Sequence, residues 1–270
     1  ISRDGRYVTF ESEDENLVEG DTNGEWGNDI FLHDRQNGET RRINLSFEGN
    51  ETIGIAVKSG ITDDGKFIFF STSAEYVIED DYNLYSDVFA YNMQTGETTR
   101  VSYNSQGEEL NGDSFFEAVS PDGRFLLFFS RATNIVKGMN EEEYRHLYLR
   151  DLNTGQTVFV TGNADGQPAN QEMDFGSITA DGSHAFFDTV SDNLLESDTN
   201  RNADIYVKET DLTVPGLKGI IRLYVTCQPT NHDEVIFRVL FNEKVNYVDE
   251  ADFLVNGGST ASVTKVENVN

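Results

Sequence analysis

The sequence contains a single cysteine, Cys227, and few positive charges. One cysteine excludes an intrachain disulfide. Lysine and arginine number 20 against 48 acidic residues, which gives a formal net charge of −28. Nucleic acids and anionic membrane surfaces bind clustered cations, so neither is an expected partner. No apolar run approaches the ~18 residues of a membrane-spanning helix, and membrane insertion is not expected.

A four-fold repeat runs through the first 211 residues. An Asp-Gly pair, followed by a strand-like apolar segment, recurs at intervals of 60, 58 and 59 residues. The pairs begin at Asp4, Asp64, Asp122 and Asp181. Repeats of this length indicate that one supersecondary unit is used four times, near 1–60, 61–118, 119–177 and 178–211.

Each repeat has the pattern of a small antiparallel sheet. Asp-Gly favours a tight turn because glycine tolerates positive φ. In the second repeat, the apolar strand after the turn is followed by Asp87-Val88-Phe89-Ala90, by a Thr95-Gly96 hairpin and by Arg100-Val101-Ser102. Four short strands per repeat, without helical periodicity, predict an all-β fold, with each repeat forming one blade of a β-propeller.

The turn Ser120-Pro121-Asp122-Gly123, with the apolar strands and Thr-Gly hairpins that follow, resembles the WD-like propeller repeats of the Tol-system periplasmic protein. Similar repeats occur in secreted bacterial proteins and in peptidase propellers. The resemblance implies that the innermost strand of a blade precedes the Asp-Gly turn. With this assignment of strands to blades, which we call the phase, the first blade lacks its inner strand. The fourth blade, ending near Thr210, lacks its outer strand. Further blades before Ile1, or strands donated by a neighbouring chain, are the two expected ways to complete the ring.

Residues 212–270 differ from the repeats in charge and pattern. They carry seven acids and five bases, a net charge of −2, which leaves −26 on residues 1–211. Alternating segments such as Val235–Phe241 are typical of a β-sandwich. Phe241-Asn242-Glu243-Lys244-Val245 resembles bacterial Ig-like or cadherin-like repeats, which implies a partial Ig-like domain here.

Oxygen-bearing side chains recur at equivalent positions of three repeats, in the loop before the second strand. Carboxylate and amide oxygens at alternate positions suit Ca²⁺, which binds six to eight hard oxygen ligands. The same residue types also form Asx-turns, and this purely structural reading stays open. The candidate ligands are Asp21, Asn23 and Asp29; Asp81, Asn83 and Asp87; and Asp198, Asn200 and Asp204. The third repeat breaks the pattern, with His146 at the last position.

No catalytic constellation is evident. The four histidines are scattered: His33 lies at a variable position and is expected to be exposed, and His184 aligns with aromatic residues. Neither a Gly-x-Ser-x-Gly elbow nor a His-Glu-x-x-His motif occurs, so no catalytic residues are predicted and the chain is not expected to be an enzyme. Trp26, on a loop of the first repeat, is a candidate contact for a glycan or a protein.

These observations favour a secreted or cell-surface scaffold that acts in adhesion or assembly and binds other protein chains, including its own copies by strand pairing. Two alternatives remain: a propeller that gates a peptidase whose catalytic domain lies outside this chain, and a periplasmic Tol-type binding propeller.

Strand alternation also predicts which apolar side chains are buried between blades. They are Ile55, Val57, Phe69, Phe128, Leu147, Phe187 and Ile205.

Overall fold

The computed structural model describes residues 1–23, 27–81, 83–136, 144–195, 198, 202–210 and 212, and the backbone of 220–223. Every regular element in these residues is a β-strand, and they form four antiparallel sheets. No helix in this part of the chain is long and apolar enough to cross a membrane. Trp26, Asn200, Cys227 and almost all of the expected Ig-like segment lie outside the described residues.

The fifteen strands follow the repeats. Blade one contains β1 (Tyr7–Ser12), β2 (Asp29–Asp34) and β3 (Glu39–Arg42). Blade two contains β4 (Ala56–Ile61), β5 (Phe67–Thr72), β6 (Asp87–Asn92) and β7 (Thr98–Arg100). Blade three contains β8 (Ser114–Val119), β9 (Phe125–Ser130), β10 (His146–Asp151) and β11 (Thr157–Phe159). Blade four contains β12 (Gly176–Ile178), β13 (His184–Thr189), β14 (Asp204–Glu209) and β15 (Ile220–Leu223).

Within each blade the strands pair in chain order, and successive blades pack side by side through their first strands. The chain is therefore a β-propeller, as the repeats predict. The strand before each Asp-Gly turn belongs to the blade that follows, which confirms the phase: β4 pairs with β5 across the turn at Asp64, and β8 with β9 across the turn at Asp122. Blade one has three strands in the described residues, also as expected.

The outer strand of blade four differs from expectation. Residues 220–223, which the sequence pattern places in the Ig-like segment, pair with β14 in the register of an outer blade strand. Arg222 lies opposite Tyr206, just as Arg42 lies opposite Phe31 in blade one and Arg100 opposite Phe89 in blade two. The prediction that blade four lacks an outer strand is therefore wrong. More residues lie between Thr210 and this strand than form the hairpins of the other blades. The repeat pattern therefore did not identify residues 220–223 as the outer strand.

The Asp-Gly turns join neighbouring blades. Gly65 has φ of 71° and Gly123 has φ of 75°, the left-handed region that glycine enters without a steric penalty. Next to these turns, the backbone N–H of Asp63 donates to the Pro121 carbonyl at 2.9 Å, and the N–H of Arg3 donates to the Asp63 carbonyl at 3.1 Å. The Asp-Gly turn segments, which recur in every repeat, thus join neighbouring blades through backbone hydrogen bonds.

The core consists of apolar layers, each filled from two adjacent blades. Phe69 of blade two stacks on Phe116 of blade three, with ring centroids 6.2 Å apart. Inside the blades, Phe128 stacks on Tyr148 at 5.8 Å, and Phe187 on Tyr206 at 5.5 Å. Such aromatic pairs stabilise a fold beyond the area they bury.

The burial predictions are confirmed for Phe69, Phe128, Leu147 and Phe187, which are fully enclosed. They are wrong for two isoleucines, and Val57 is only half-buried. Ile55 is exposed because it precedes β4, whose first residue, Ala56, fills the core position. Ile205 is exposed although the equivalent Leu147 is buried, since no sheet of the described residues covers the outer face of β14.

Replacing Phe128 with alanine tests the interblade packing. We expect Phe128→Ala to lower the free energy of unfolding by ~3–5 kcal/mol, because it removes a large buried ring and leaves a cavity. Ile205→Ala is the matched control and should change stability by less than ~0.5 kcal/mol. Urea denaturation measures both. A loss at Phe128 as small as that at Ile205 would contradict the described packing.

Candidate functional site

Two acidic clusters form where the strand next to the outer strand of a blade begins. Asp29 and Asp87 are the first residues of β2 and β6, and both are buried. An arginine from the adjacent outer strand, Arg42 at the end of β3 or Arg100 at the end of β7, reaches each aspartate. A loop aspartate and a glutamate from beyond the outer strand complete each cluster, so four separate segments build it.

In blade one the Arg42 guanidinium lies among three carboxylates. Its Nη2 is 3.0 Å from Asp21 Oδ2, and its Nε is 3.3 Å from Asp29 Oδ2. Its Nη1 donates to Glu51 Oε1 at 2.7 Å. Because the side chains of the arginine and both aspartates are almost fully enclosed, these contacts lie in a region of low dielectric, where charge pairing is strong.

Blade two repeats this arrangement. The Nε of Arg100 is 3.2 Å from Asp87 Oδ2, and its two Nη atoms donate to Asp81 and Glu109. We call the two groups, Asp21–Asp29–Glu51 with Arg42 and Asp81–Asp87–Glu109 with Arg100, the arginine-centred clusters.

Neutral polar side chains hold the central aspartates. Asn44 Nδ2 donates to Asp29 Oδ1 at 2.6 Å, and the Ser102 hydroxyl donates to Asp87 Oδ1 at 2.6 Å. The two predicted ligands Asn23 and Asn83 also contact these carboxylates, donating through Nδ2 at 3.0 and 2.9 Å. Each buried aspartate is therefore surrounded by donors.

Burial dominates the protonation of these carboxyls. It raises the pKa of Asp87 to about 6, although the Ser102 hydroxyl, Arg100 and Asn83 favour the charged form. Burial also raises the pKa values of Asp29 and Asp81 above the ordinary value. Burial thus makes these aspartates harder to ionise, and the cation between them favours their charged form.

The clusters could also hold a metal ion. In each, one oxygen from each of the three carboxylates lies within 4.8 Å of the other two, and hard oxygens are the donors that Ca²⁺ prefers. In this geometry, however, the guanidinium occupies the space between them. Asn83 also turns its amide oxygen away from the cluster, to accept the Tyr85 N–H at 2.9 Å in an Asx-turn. A bound cation would have to displace the arginine.

Blade three replaces both members of the central ion pair. His146 stands at the position of Asp87, and its ring packs edge-on against Phe159, which stands at the position of Arg100, with centroids 5.6 Å apart. Burial lowers the pKa of His146 to about 4. Its Nε2 has no hydrogen-bond partner among the described residues. A pair of aromatic rings thus fills the space that an ion pair fills in blades one and two.

Of the predicted ligands in blade four, Asp198 and Asp204 are described and buried. Asp198 Oδ2 accepts the Tyr206 hydroxyl at 2.6 Å. The sequence-based prediction for this blade stays a prediction, because Asn200 lies outside the described residues.

The arginines and glutamates of the clusters were not among the predicted site residues. The repeats did contain the signal: Asp and Arg occur together in blades one and two, and both change in blade three, to His146 and Phe159. Residues that change together at aligned positions of a repeat are expected to be in contact.

The position of His33 is also less exposed than expected. His33 is half-buried, and the equivalent residues in blades three and four, Arg150 and Lys208, are buried. Their cationic ends donate to carbonyls of the preceding blade: Arg150 Nη1 to Tyr103 at 2.9 Å, and Lys208 Nζ to Gly162 at 3.0 Å. The variable side chain at this position therefore joins two blades.

Comparison with known proteins finds similar solved propeller structures but does not assign the chain to a family. No protein-family model and no curated protein matches the chain. The structure of putative TolB from Agrobacterium tumefaciens aligns with 82% of this chain and 62% of its own, at 15% identity and a TM-score of 0.49. TolB from Acinetobacter baumannii aligns with 89% of this chain and 50% of its own, at 14% identity and a TM-score of 0.46. The β-propeller domain of the Trilobed protease from Pyrococcus furiosus aligns with 82% of this chain and 57% of that chain, at 15% identity and a TM-score of 0.45.

This chain thus spans half to three-fifths of the length of those three structures. The propeller assignment rests on its own strand order and blade packing.

Removing the guanidinium tests its role in the clusters. Arg100→Met should lower the free energy of unfolding by ~3–5 kcal/mol at pH 7, because it leaves buried carboxylates without their cation. The loss should shrink as the pH falls towards 4, since protonation of the carboxyls removes their repulsion. Lys66→Met is the control: Lys66 pairs with Asp64 at 2.6 Å at the surface and should contribute less than ~1 kcal/mol. Equal effects of the two substitutions in urea denaturation would contradict a structural role for Arg100.

His146 should make the protein sensitive to acid. Its pKa falls from the ordinary 6.5 to about 4 on folding, so the unfolded chain binds more protons between those values. Stability from this group is complete above pH 6.5 and decreases as the pH falls through that window. Between pH 7 and 5 we expect wild type to lose ~2 kcal/mol more than His146→Leu. Parallel pH profiles of unfolding free energy for the two proteins would show that His146 is not buried in neutral form.

Proposed function

We propose that this propeller is a secreted or cell-surface, non-enzymatic scaffold that binds other proteins in adhesion or assembly. The observation that carries the proposal is the distribution of its buried charged side chains. Asp29 and Asp87 lie in different blades, each paired with the arginine of its own blade. Catalysis needs acid, base and nucleophile groups to converge on one point. Buried charges that are paired within each blade instead support a structural role, and leave the surface as the functional part.

The negative charge supports an exterior location. A net charge of −28 keeps a protein dispersed and disfavours nucleic acids and anionic lipids as partners. The part of the expected Ig-like segment that follows β15 agrees with a cell-surface protein, whereas a periplasmic Tol-type propeller or the gate of a peptidase would not need it.

Assembly of copies by strand pairing belongs to the same proposal. In the described residues β1 is paired on one side only, with β2. Either a preceding segment of the protein or a strand of another chain can pair with this edge.

Surface labelling of the intact producing cells tests the location. A membrane-impermeant amine reagent should label the full-length protein on whole cells, under conditions that leave a periplasmic marker unlabelled. Labelling only after outer-membrane permeabilisation would instead favour the periplasmic alternative. Covalent capture of the full-length protein by a fluorophosphonate probe for serine peptidases would overturn the non-enzymatic assignment.

A second inferred function is calcium binding, supported by the two sets of three carboxylates. Displacement of the arginine by Ca²⁺ would bring in a divalent charge, with backbone carbonyls and water completing the shell. Because only three side-chain carboxylates are available, affinity should be weak, ~10⁻⁴–10⁻³ M.

Calorimetry in millimolar calcium and in chelator tests this inference. A ligand that binds only the folded state raises the melting temperature, so wild type should melt higher with calcium. Asp81→Asn should lose part of that increase. Thr157→Ser in blade three, which lacks the cluster, should keep all of it. Identical melting of wild type in both buffers would exclude the calcium site.

A further inference from the structure

Four large apolar side chains are exposed together where blade one meets blade two. Phe47, Ile53, Ile55 and Tyr76 are between 52% and 87% exposed. We call them the apolar patch. Exposed apolar groups of this kind mark interaction surfaces when they are contiguous.

The patch is contiguous because two loops are joined at this point. The N–H of Phe47 donates to the Tyr76 carbonyl at 2.9 Å, and the N–H of Ser73 donates to the Ile55 carbonyl at 3.2 Å. Gly54, between the two isoleucines, lies so close to Ala74 that a Cβ there would be 2.6 Å from the Ala74 backbone. The loop of blade one is thus held against the loop of blade two.

The equivalent positions at the next blade junction are polar and bond to each other. Asn134 takes the place of Tyr76: its Oδ1 accepts the N–H of Asn111 at 3.2 Å, and its Nδ2 donates to the Glu109 carbonyl at 2.8 Å. Asn111 itself takes the place of Ile53. Likewise, Ser105 and Asp113 stand where the patch has Phe47 and Ile55.

The third junction repeats the polar form. Asn193 Oδ1 accepts the N–H of Asn170 at 3.1 Å, and its Nδ2 donates to the Pro168 carbonyl at 2.8 Å. The fold therefore builds this junction from two asparagines. At the first junction, isoleucine and tyrosine replace both, without becoming buried.

Tyr76 also adopts a backbone conformation that is unfavourable for its residue type. Its φ of 66° lies in the left-handed region, which bulky side chains rarely enter. Strain of this kind is frequent at binding sites, where it is retained for function.

Charge indicates which partner the patch suits. The two segments that present it, 45–55 and 73–80, contain five acidic residues and neither lysine nor arginine. Glu48, Glu75, Glu79 and Asp80 are exposed and form the rim, whereas Glu51 pairs with Arg42. Apolar anchors inside a negative rim are complementary to apolar side chains flanked by positive charge. A second copy of this chain, itself at −28, is a poor match.

We propose that the apolar patch is the docking site for a basic protein segment, one that offers aromatic or aliphatic side chains between lysines or arginines. This deepens the proposed scaffold function and rests on it. Phe47, Ile53, Ile55 and Tyr76 supply the anchors, and the acidic rim supplies orientation and attraction.

The test uses two synthetic peptides with the same phenylalanine and leucine residues, one with lysines between them and one with glutamates. Fluorescence anisotropy with the full chain measures their affinities at low and at physiological salt. The paired variant Ile53→Asn with Tyr76→Asn gives the patch the residues of the other junctions. It should fold and melt at least as well as wild type, because it can form the asparagine bonds seen there. The converse variant, Asn111→Ile with Asn134→Tyr, places the isoleucine and tyrosine of the apolar patch at the second junction.

We expect the lysine peptide to bind wild type, to weaken with salt, and to lose about tenfold or more in affinity on the paired asparagine variant. The converse variant should bind it more tightly than wild type. Equal binding of the lysine peptide to wild type and asparagine variant would overturn the proposal, as would preference for the glutamate peptide. Concentration-dependent dimerisation of wild type that the asparagine variant abolishes would overturn it in favour of a second copy. If any of these results is obtained while intact cells are still labelled at the surface, the docking proposal is rejected and the scaffold proposal is retained.

Discussion

The structure depends on neutralising carboxylates that the blades bury. Asp29 and Asp87 start the strand next to the outer strand of their blades, and both are buried from water. In a chain with a net charge of −28, additional acids are close by, and Asp21 and Glu51 join Asp29. A buried anion is tolerated only when it is paired and hydrogen-bonded, and the planar guanidinium of arginine can contact several carboxylates at once. Arg42 and Arg100 therefore hold together the outer strand, the strand beside it and two loops of a blade.

Blade three shows that this buried position needs a partner that fills the space, and that the side chain there need not be an aspartate. With His146 and Phe159 in place of the ion pair, the same strands remain in the same register, and the ring contact fills the space. In blades one and two, replacing the arginine alone would leave three carboxylates without their cation. The cost of that single change favours a joint change of both positions. It also makes blade three the place where acid acts on a neutral histidine rather than on a carboxylate.

Most of the architecture was predictable, because Asp-Gly turns and alternating strands are local signals that repeat four times. The buried positions Phe69, Phe128, Leu147 and Phe187 followed from alternation alone. Ile55 and Ile205 did not, since their exposure depends on where β4 begins and on whether a further sheet covers β14. The candidate site was half predicted: the loop acids stand at regular spacing, whereas Arg42 and Glu51 come from beyond the next hairpin and meet Asp29 only in the folded sheet. Comparing aligned repeats for joint changes would have found them.

The repeats also provide an internal reference for what the fold requires. Side chains that recur at aligned positions, such as the asparagines of the second and third junctions, satisfy the needs of the propeller itself. Where a repeat departs from the common residues but replaces them with an uncharged packing contact, as blade three does, the change is an alternative structural solution. The departure at the first junction is different, because it lacks the asparagine side-chain hydrogen bonds of the other two junctions, exposes apolar surface and places Tyr76 in an unfavourable backbone conformation. Each of these changes is unfavourable for the isolated chain, so a binding partner that covers the surface is the physical reason to keep them together.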